Sequence, residues 1–149
     1  TRINLYHISY NNRMFLPARR NRSLEDLRKL AGRLTYEGNL REDVAAAEND
    51  ELGPDANCFI VETKDSFETV FQFFRRYYGR LQVRPARDGD VWGRNFEIDG
   101  TRAANLNREN MELFIRVDEN PVVTDEKGNS QVYLGSIFIK YTFWKEKKH

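Results

Sequence analysis

The chain has 149 residues, a length at which one domain with a sizeable core is expected and two independent domains are not. It is 40% hydrophobic, 13% aromatic and 32% charged, too apolar for a disordered polymer, and a mean hydropathy of -0.75 without any long apolar run excludes a helical membrane span. Lys and Arg number 24 against 23 Asp and Glu, a net charge of +1 that selects no partner class, while one cysteine and two histidines exclude an intramolecular disulfide and a zinc site of the usual kind.

The opening residues 1–10 carry neither an apolar signal core nor an Arg/Ser-rich transit pattern, so no targeting segment is visible and cytoplasmic residence is the expectation. Ile3, Leu5 and His7 alternate in a β-rich run ending at the turn-prone Asn11-Asn12, which reads as a first strand. Ser23 stands as an N-cap with a carboxylate, Asp26, three residues on, and Leu24, Leu27, Leu30, Ala31 and Leu34 recur at helical spacing, predicting a helix over 24–35. The acidic stretch 37–55 reads as surface, with a short helix over 44–48 closed by Gly53-Pro54.

Residues 57–63 form a compact apolar run and predict a buried strand. Asp65 or Ser66 then caps a helix over 66–78 whose Phe67, Val70, Phe71 and Phe74 share one face, with Gly79 as a left-handed stop. Leu81 and Val83 suggest a short strand, and 84–100 reads as loop-rich around Trp92 and Phe96. Met111, Leu113, Ile115 and Val117 alternate on another strand, all inward. Residues 125–129 hold the strongest turn signal, 131–144 one long final strand, and 145–149 a solvated charged tail. Helices in the first half and strands in the second give an α+β fold with a mainly antiparallel sheet and two principal helices, in a single domain spanning 1–149.

Three constellations could carry chemistry. Cys58 and His7 would be neighbours if their strands pair, but a cysteine inside an apolar strand is more often an inert buried thiol. The run 73–80 interleaves aromatics with Arg75, Arg76 and Arg80, and Arg13, Arg19, Arg20 and Arg22 form a second cluster, a composition that suits nucleic acid. Helix-end cations and core aromatics explain the first cluster equally well, so specific nucleic-acid binding is not expected and the partner is a protein or a small molecule.

The third is an ordered set of short blocks. Leu5-Tyr6-His7-Ile8-Ser9, the strand 58–63 with the helix and strand after it, and Asn110-Met111-Glu112-Leu113-Phe114-Ile115 together resemble the ADP-ribosyltransferase family over about a third of the chain. Ile8 stands where the family has glycine, and Asn110 where its arginine-modifying members carry Gln or Glu. The resemblance implies NAD as cofactor, with no metal. His7 would bind the adenosine-side ribose and Thr63 or Tyr78 would line the nicotinamide pocket. Glu112 would be the catalytic carboxylate, stabilising positive charge on the ribose as the glycosidic bond breaks.

A competing resemblance, over 111–143, is to the closing strands of a viral capsid jelly roll, which implies a structural or assembly protein. An interaction or inhibitory module of the kind found in phage and mobile elements is the remaining alternative.

Overall fold

The computed structural model describes residues 5–8, 22–106, 110–125 and 127–145. The turn at Asn11-Asn12, the clustered Arg13, Arg19 and Arg20, the side chain of His7 and the tail beyond Lys145 lie outside the described residues. The fold is α+β, with a mainly antiparallel sheet and its helices in the first half of the chain.

In chain order come β1 (Leu5–Ile8), α1 (Leu24–Ala31), a 3-10 turn (Gly32–Leu34), β2 (Asn39–Leu40), α2 (Glu42–Leu52), β3 (Ala56–Thr63) and α3 (Phe67–Arg75). Then follow β4 (Arg84–Asp88), β5 (Val91–Asp99), β6 (Met111–Glu119), β7 (Val122–Asp125), β8 (Ser130–Val132) and β9 (Ile137–Lys145). Six strands form one sheet in the order β2-β3-β9-β6-β5-β4, every pairing antiparallel. A smaller sheet, β1-β7-β8, includes the one parallel pairing among the described residues, β1 with β7.

The strict alternation along β6 and β9 divides the large sheet into two faces. On face A, Phe59, Phe96, Leu113, Ile115, Tyr141 and Phe143 pack beneath α1, the 3-10 turn and α3. Ser23 starts α1, its hydroxyl accepting from Asp26 N–H at 3.1 Å, and Ser66 starts α3 in the same way from Thr69 N–H at 3.1 Å. Each cap points the following apolar stripe at the sheet. Phe67, Val70 and Phe74 are buried, and Phe71 sits half-buried at the rim with its ring against Phe96. Met111 is half-buried while Leu113, Ile115 and Val117 are fully inside.

Face B is covered over β3 and half of β9 by α2, whose Val44, Ala45 and Ala47 are buried. Val44 and Ala45 pack with Cys58, Ile60, Phe138 and Val123 of β7. The stretch 37–55 is therefore not simply surface: its small side chains let a helix lie close on the strands, with Glu42, Asp43 and Glu51 exposed while Glu48 turns inward to within 3.9 Å of Lys140. Gly53 (φ 86) ends this helix, which is longer than the sequence suggests.

Four other expectations are corrected. Helix α3 stops at Arg75 with Arg76 still in right-handed geometry, so Gly79 is not its left-handed stop. No strand forms at 81–83. The region 84–100 is a hairpin: Gly89 (φ 62) takes the first position of a two-residue turn, where an L side chain would be strained, and Val91 to Asp99 is a full strand. The final strand is broken, because Gly135 (φ 77) reverses the chain between β8 and β9. A large sheet with helices on both faces is also not a closed jelly-roll sandwich.

Both edges of the large sheet are blunted. On β3, the Asn49 carboxamide accepts from Cys58 N–H and donates to Cys58 C=O, and Arg41 N–H donates to Ile60 C=O. Strand β4 turns Pro85 and Arg87 outward if the pair closing its turn exchanges hydrogen bonds, as two-residue hairpins do. Pro85 has no N–H to offer an added strand.

Candidate functional site

The structure separates the residues that the ribosyltransferase resemblance groups. Thr63 ends β3 on face A, 7% exposed, its hydroxyl accepting from Asp65 N–H at 3.0 Å in a local turn. Glu112 opens β6 on face B. Thr63 lies opposite Ile137 and Glu112 opposite Trp144, seven residues apart along β9, which is about 24 Å of strand. The two side chains also leave opposite faces.

Tyr78 lies at the Glu112 end but packs against the face A core, and its hydroxyl donates to Asp99 C=O at 3.2 Å. Burial raises its pKa. The backbone of His7 pairs with Thr124 in the small sheet. With about 24 Å of strand and opposite faces between them, Thr63 does not line a nicotinamide pocket beside Glu112.

Cys58 is 3% exposed, and its thiol lies 3.7 Å from Ala45 C=O. The aromatics interleaved with Arg75, Arg76 and Arg80 are committed elsewhere: Phe74 is fully buried, and Tyr77 packs on the core with its hydroxyl near Arg33 C=O. Among the described residues no group of His, Cys, Asp and Glu is placed to hold a metal ion, and no helix is long and apolar enough to cross a membrane.

The most connected polar cluster joins the two sheets. Arg41 donates to Glu62 Oε1 at 2.9 Å and to Asp43 Oδ2 at 3.0 Å, with its guanidinium 4.9 Å from the Tyr133 ring centre and 5.4 Å from that of Phe138. The Ser136 hydroxyl donates to Glu62 Oε2 at 2.6 Å. Burial alone would raise the Glu62 carboxyl, but Ser136 and Arg41 hold it below the usual carboxylate range. Every member has a structural partner, so the cluster reads as a clamp. It was not foreseen, because Arg41, Glu62 and Ser136 are far apart in sequence and belong to no motif.

What remains open is the other half of face B. A groove of about 440 Å³ runs between the end of α2 and strands β9, β6 and β5. Phe114 (40% exposed), Trp144 and Leu52 give it an apolar floor. Its cations are already neutralised: Lys140 Nζ lies 3.9 Å from Glu48, and Arg116 Nε 2.9 Å from the fully buried Asp118. Among the described residues Asp99 and Glu112 form no ion pair, so the described part of the rim carries an excess of negative charge. Glu112 borders the groove as the cross-strand neighbour of Trp144. The signal for this site was present in the alternation of 111–117, whose outward set Glu112, Phe114 and Arg116 includes one large aromatic.

No protein-family model, no curated protein and no solved structure matches this chain.

Proposed function

We propose that this chain is a protein-binding module that grips a segment carrying an apolar or aromatic anchor flanked by Lys or Arg in the open half of face B. The observation that carries this is the exposure of Phe114 beside Trp144 on the part of the sheet that α2 leaves bare. A large aromatic held on a rigid strand loses little conformational freedom on binding, which suits it as an anchor site. The carboxylates of Asp99 and Glu112 favour a cationic flank. Recognition by strand addition is opposed by the blunted edges. Ribosyl transfer would need His7, Glu112 and either Thr63 or Tyr78 around one NAD; Thr63 leaves the opposite face of the sheet from Glu112, and Tyr78 packs against the face A core, which opposes it.

The test is selection from a displayed library of random peptides, followed by affinity measurement on individual peptides. Enriched sequences should share an aromatic or branched apolar residue next to Lys or Arg. Their affinity should fall about tenfold or more for Phe114→Ser and should weaken for Glu112→Lys and at high salt. Peptides without that signature, or affinity unchanged in Phe114→Ser, would overturn the proposal.

A further inference from the structure

Residues 69–87 hold five arginines and no carboxylate, in a chain whose net charge is only +1. Helix α3 accounts for little of this run. Arg75 sits in its last turn, where a cation suits the helix dipole, and Arg76 leans over the Phe73 ring, but Arg80, Arg84 and Arg87 lie beyond the helix. Arg75, Arg80, Arg84 and Arg87 are all exposed. Among the described residues Arg75, Arg80 and Arg84 have no side-chain hydrogen bond or ion pair.

The fold gathers these four on one side. Phe71, one turn before Arg75, meets Phe96 of β5, so Arg75 leaves α3 toward the β5 and β4 end of the sheet. The chain then returns through Arg80 to the edge strand β4, where Arg84 lies opposite Asn95 and Arg87 opposite Trp92. Trp92 is 58% exposed, the Arg87 guanidinium stands 5.1 Å from its ring centre, and its C=O accepts from the Asn120 carboxamide at 2.8 Å. The result is a rim of arginines that ends in an exposed indole on a braced turn.

A polyanion with flat, uncharged rings between its charges matches this order. Arginine forks bind phosphate oxygens, and an exposed indole stacks on a nucleobase where that base is unpaired. A bilayer fits less well, because Asp88 and Asp90 stand in the turn immediately before Trp92, and sinking the ring would press both carboxylates onto the anionic surface that the arginines require. An acidic peptide would satisfy the arginines and leave Trp92 unused. We propose that this rim binds single-stranded nucleic acid without reading its sequence, with Arg75, Arg80, Arg84 and Arg87 on phosphates and Trp92 against one base. None of these residues lines the face B groove, so the two readings are independent.

The probes are labelled thymidine and uridine oligonucleotides of about 16 nucleotides, the upper end of what one small domain covers, followed by fluorescence anisotropy over a salt series. Both should bind, and more tightly than a duplex of the same length. The logarithm of the affinity should fall with that of salt at a slope of about -3, from four phosphates at about 0.7 each. Arg84→Ala should reduce that slope by about 0.7. Trp92→Leu should keep the slope, weaken binding about tenfold and remove the quenching of tryptophan emission by the oligonucleotide. Both side chains are exposed, so neither change threatens the fold. Tighter binding of the duplex, unchanged affinity in Trp92→Leu, or polyglutamate bound as tightly as the oligonucleotides would each overturn the proposal. So would absence of oligonucleotide binding at low salt, with or without retention on phosphatidylserine vesicles.

Discussion

The Asn49 side chain takes the place of a missing strand beside Cys58: it accepts from Cys58 N–H at 2.7 Å and donates to Cys58 C=O at 3.2 Å. Strand β2 pairs only with Val61 and Glu62, so without this contact the middle of the β3 edge would keep two unpaired backbone groups in a buried setting. Asn49→Ala is expected to cost about 2 to 4 kcal/mol in urea unfolding, one buried donor and one buried acceptor being orphaned together. Asn49→Leu should be no better, since it restores bulk and no hydrogen bond. Full stability in either variant would mean that the edge is satisfied in another way.

The clamp around Arg41 makes a prediction in pH. The Glu62 carboxyl is held below its ordinary range in the fold, so its contribution to stability is present above the unfolded-chain value and disappears as pH falls through the lower folded value. Glu62→Gln should therefore be less stable than the parent chain by about 1 to 3 kcal/mol at pH 7, and the gap should narrow progressively as pH falls below the unfolded-chain value and the Glu62 carboxyl takes up its proton. Chemical denaturation at pH 7 and pH 3 checks this. A gap that persists unchanged at pH 3 would assign the effect to shape.

Much of the fold was legible where one face of an element is apolar and the other is not. The capped helices at Ser23 and Ser66, the buried run 57–63 and the alternating strand 111–117 all have that form. The errors have a common cause, which is that local pattern was ambiguous and distant partners decided. Residues 84–88 hold poor strand formers, yet they pair because the Asp88-Gly89 turn sets them against Val91 to Asn95. The Ala-rich α2 carries a weak apolar stripe and is buried because Ile60 and Phe138 offer it a flat surface. The site residues were less legible still. Of Thr63, Tyr78 and Glu112, it is Glu112 that borders the face B groove, and the strand register that separates it from Thr63 depends on β9, which no short block specifies.

Helix α3 offers a graded test of burial. Phe74 is fully buried, with ring contacts to Phe73, Tyr36 and Phe96, whereas Phe71 stands half-exposed at the rim. Phe74→Ala should cost about 3 to 5 kcal/mol and Phe71→Ala about 1 to 3 kcal/mol, although the two are indistinguishable in the helical pattern. Equal losses in equilibrium unfolding would mean that the helix is rotated from the position described.

Tyr141 is the fully buried tyrosine of β9, and its hydroxyl joins the sheet to the segment after α1. It accepts from Tyr36 N–H at 2.8 Å and donates to Leu34 C=O at 2.6 Å. Tyr141→Phe keeps the ring, which stacks on Phe59 at 4.4 Å, and removes only the oxygen. Two backbone groups lose their partner, so a cost of about 2 to 4 kcal/mol is expected at pH 7. Burial also raises the phenol pKa well above 10, so the unfolded chain gives up this proton first, and the parent fold loses stability as pH climbs from about 10 toward the folded value. Tyr141→Phe has no such proton to lose. Its deficit relative to the parent chain should therefore shrink between pH 8 and pH 11, while Tyr36, whose pKa burial and Asp65 also raise, keeps some alkaline sensitivity in both. Unfolding midpoints at the two pH values measure this directly, and a deficit that grows with pH would contradict the buried neutral hydroxyl.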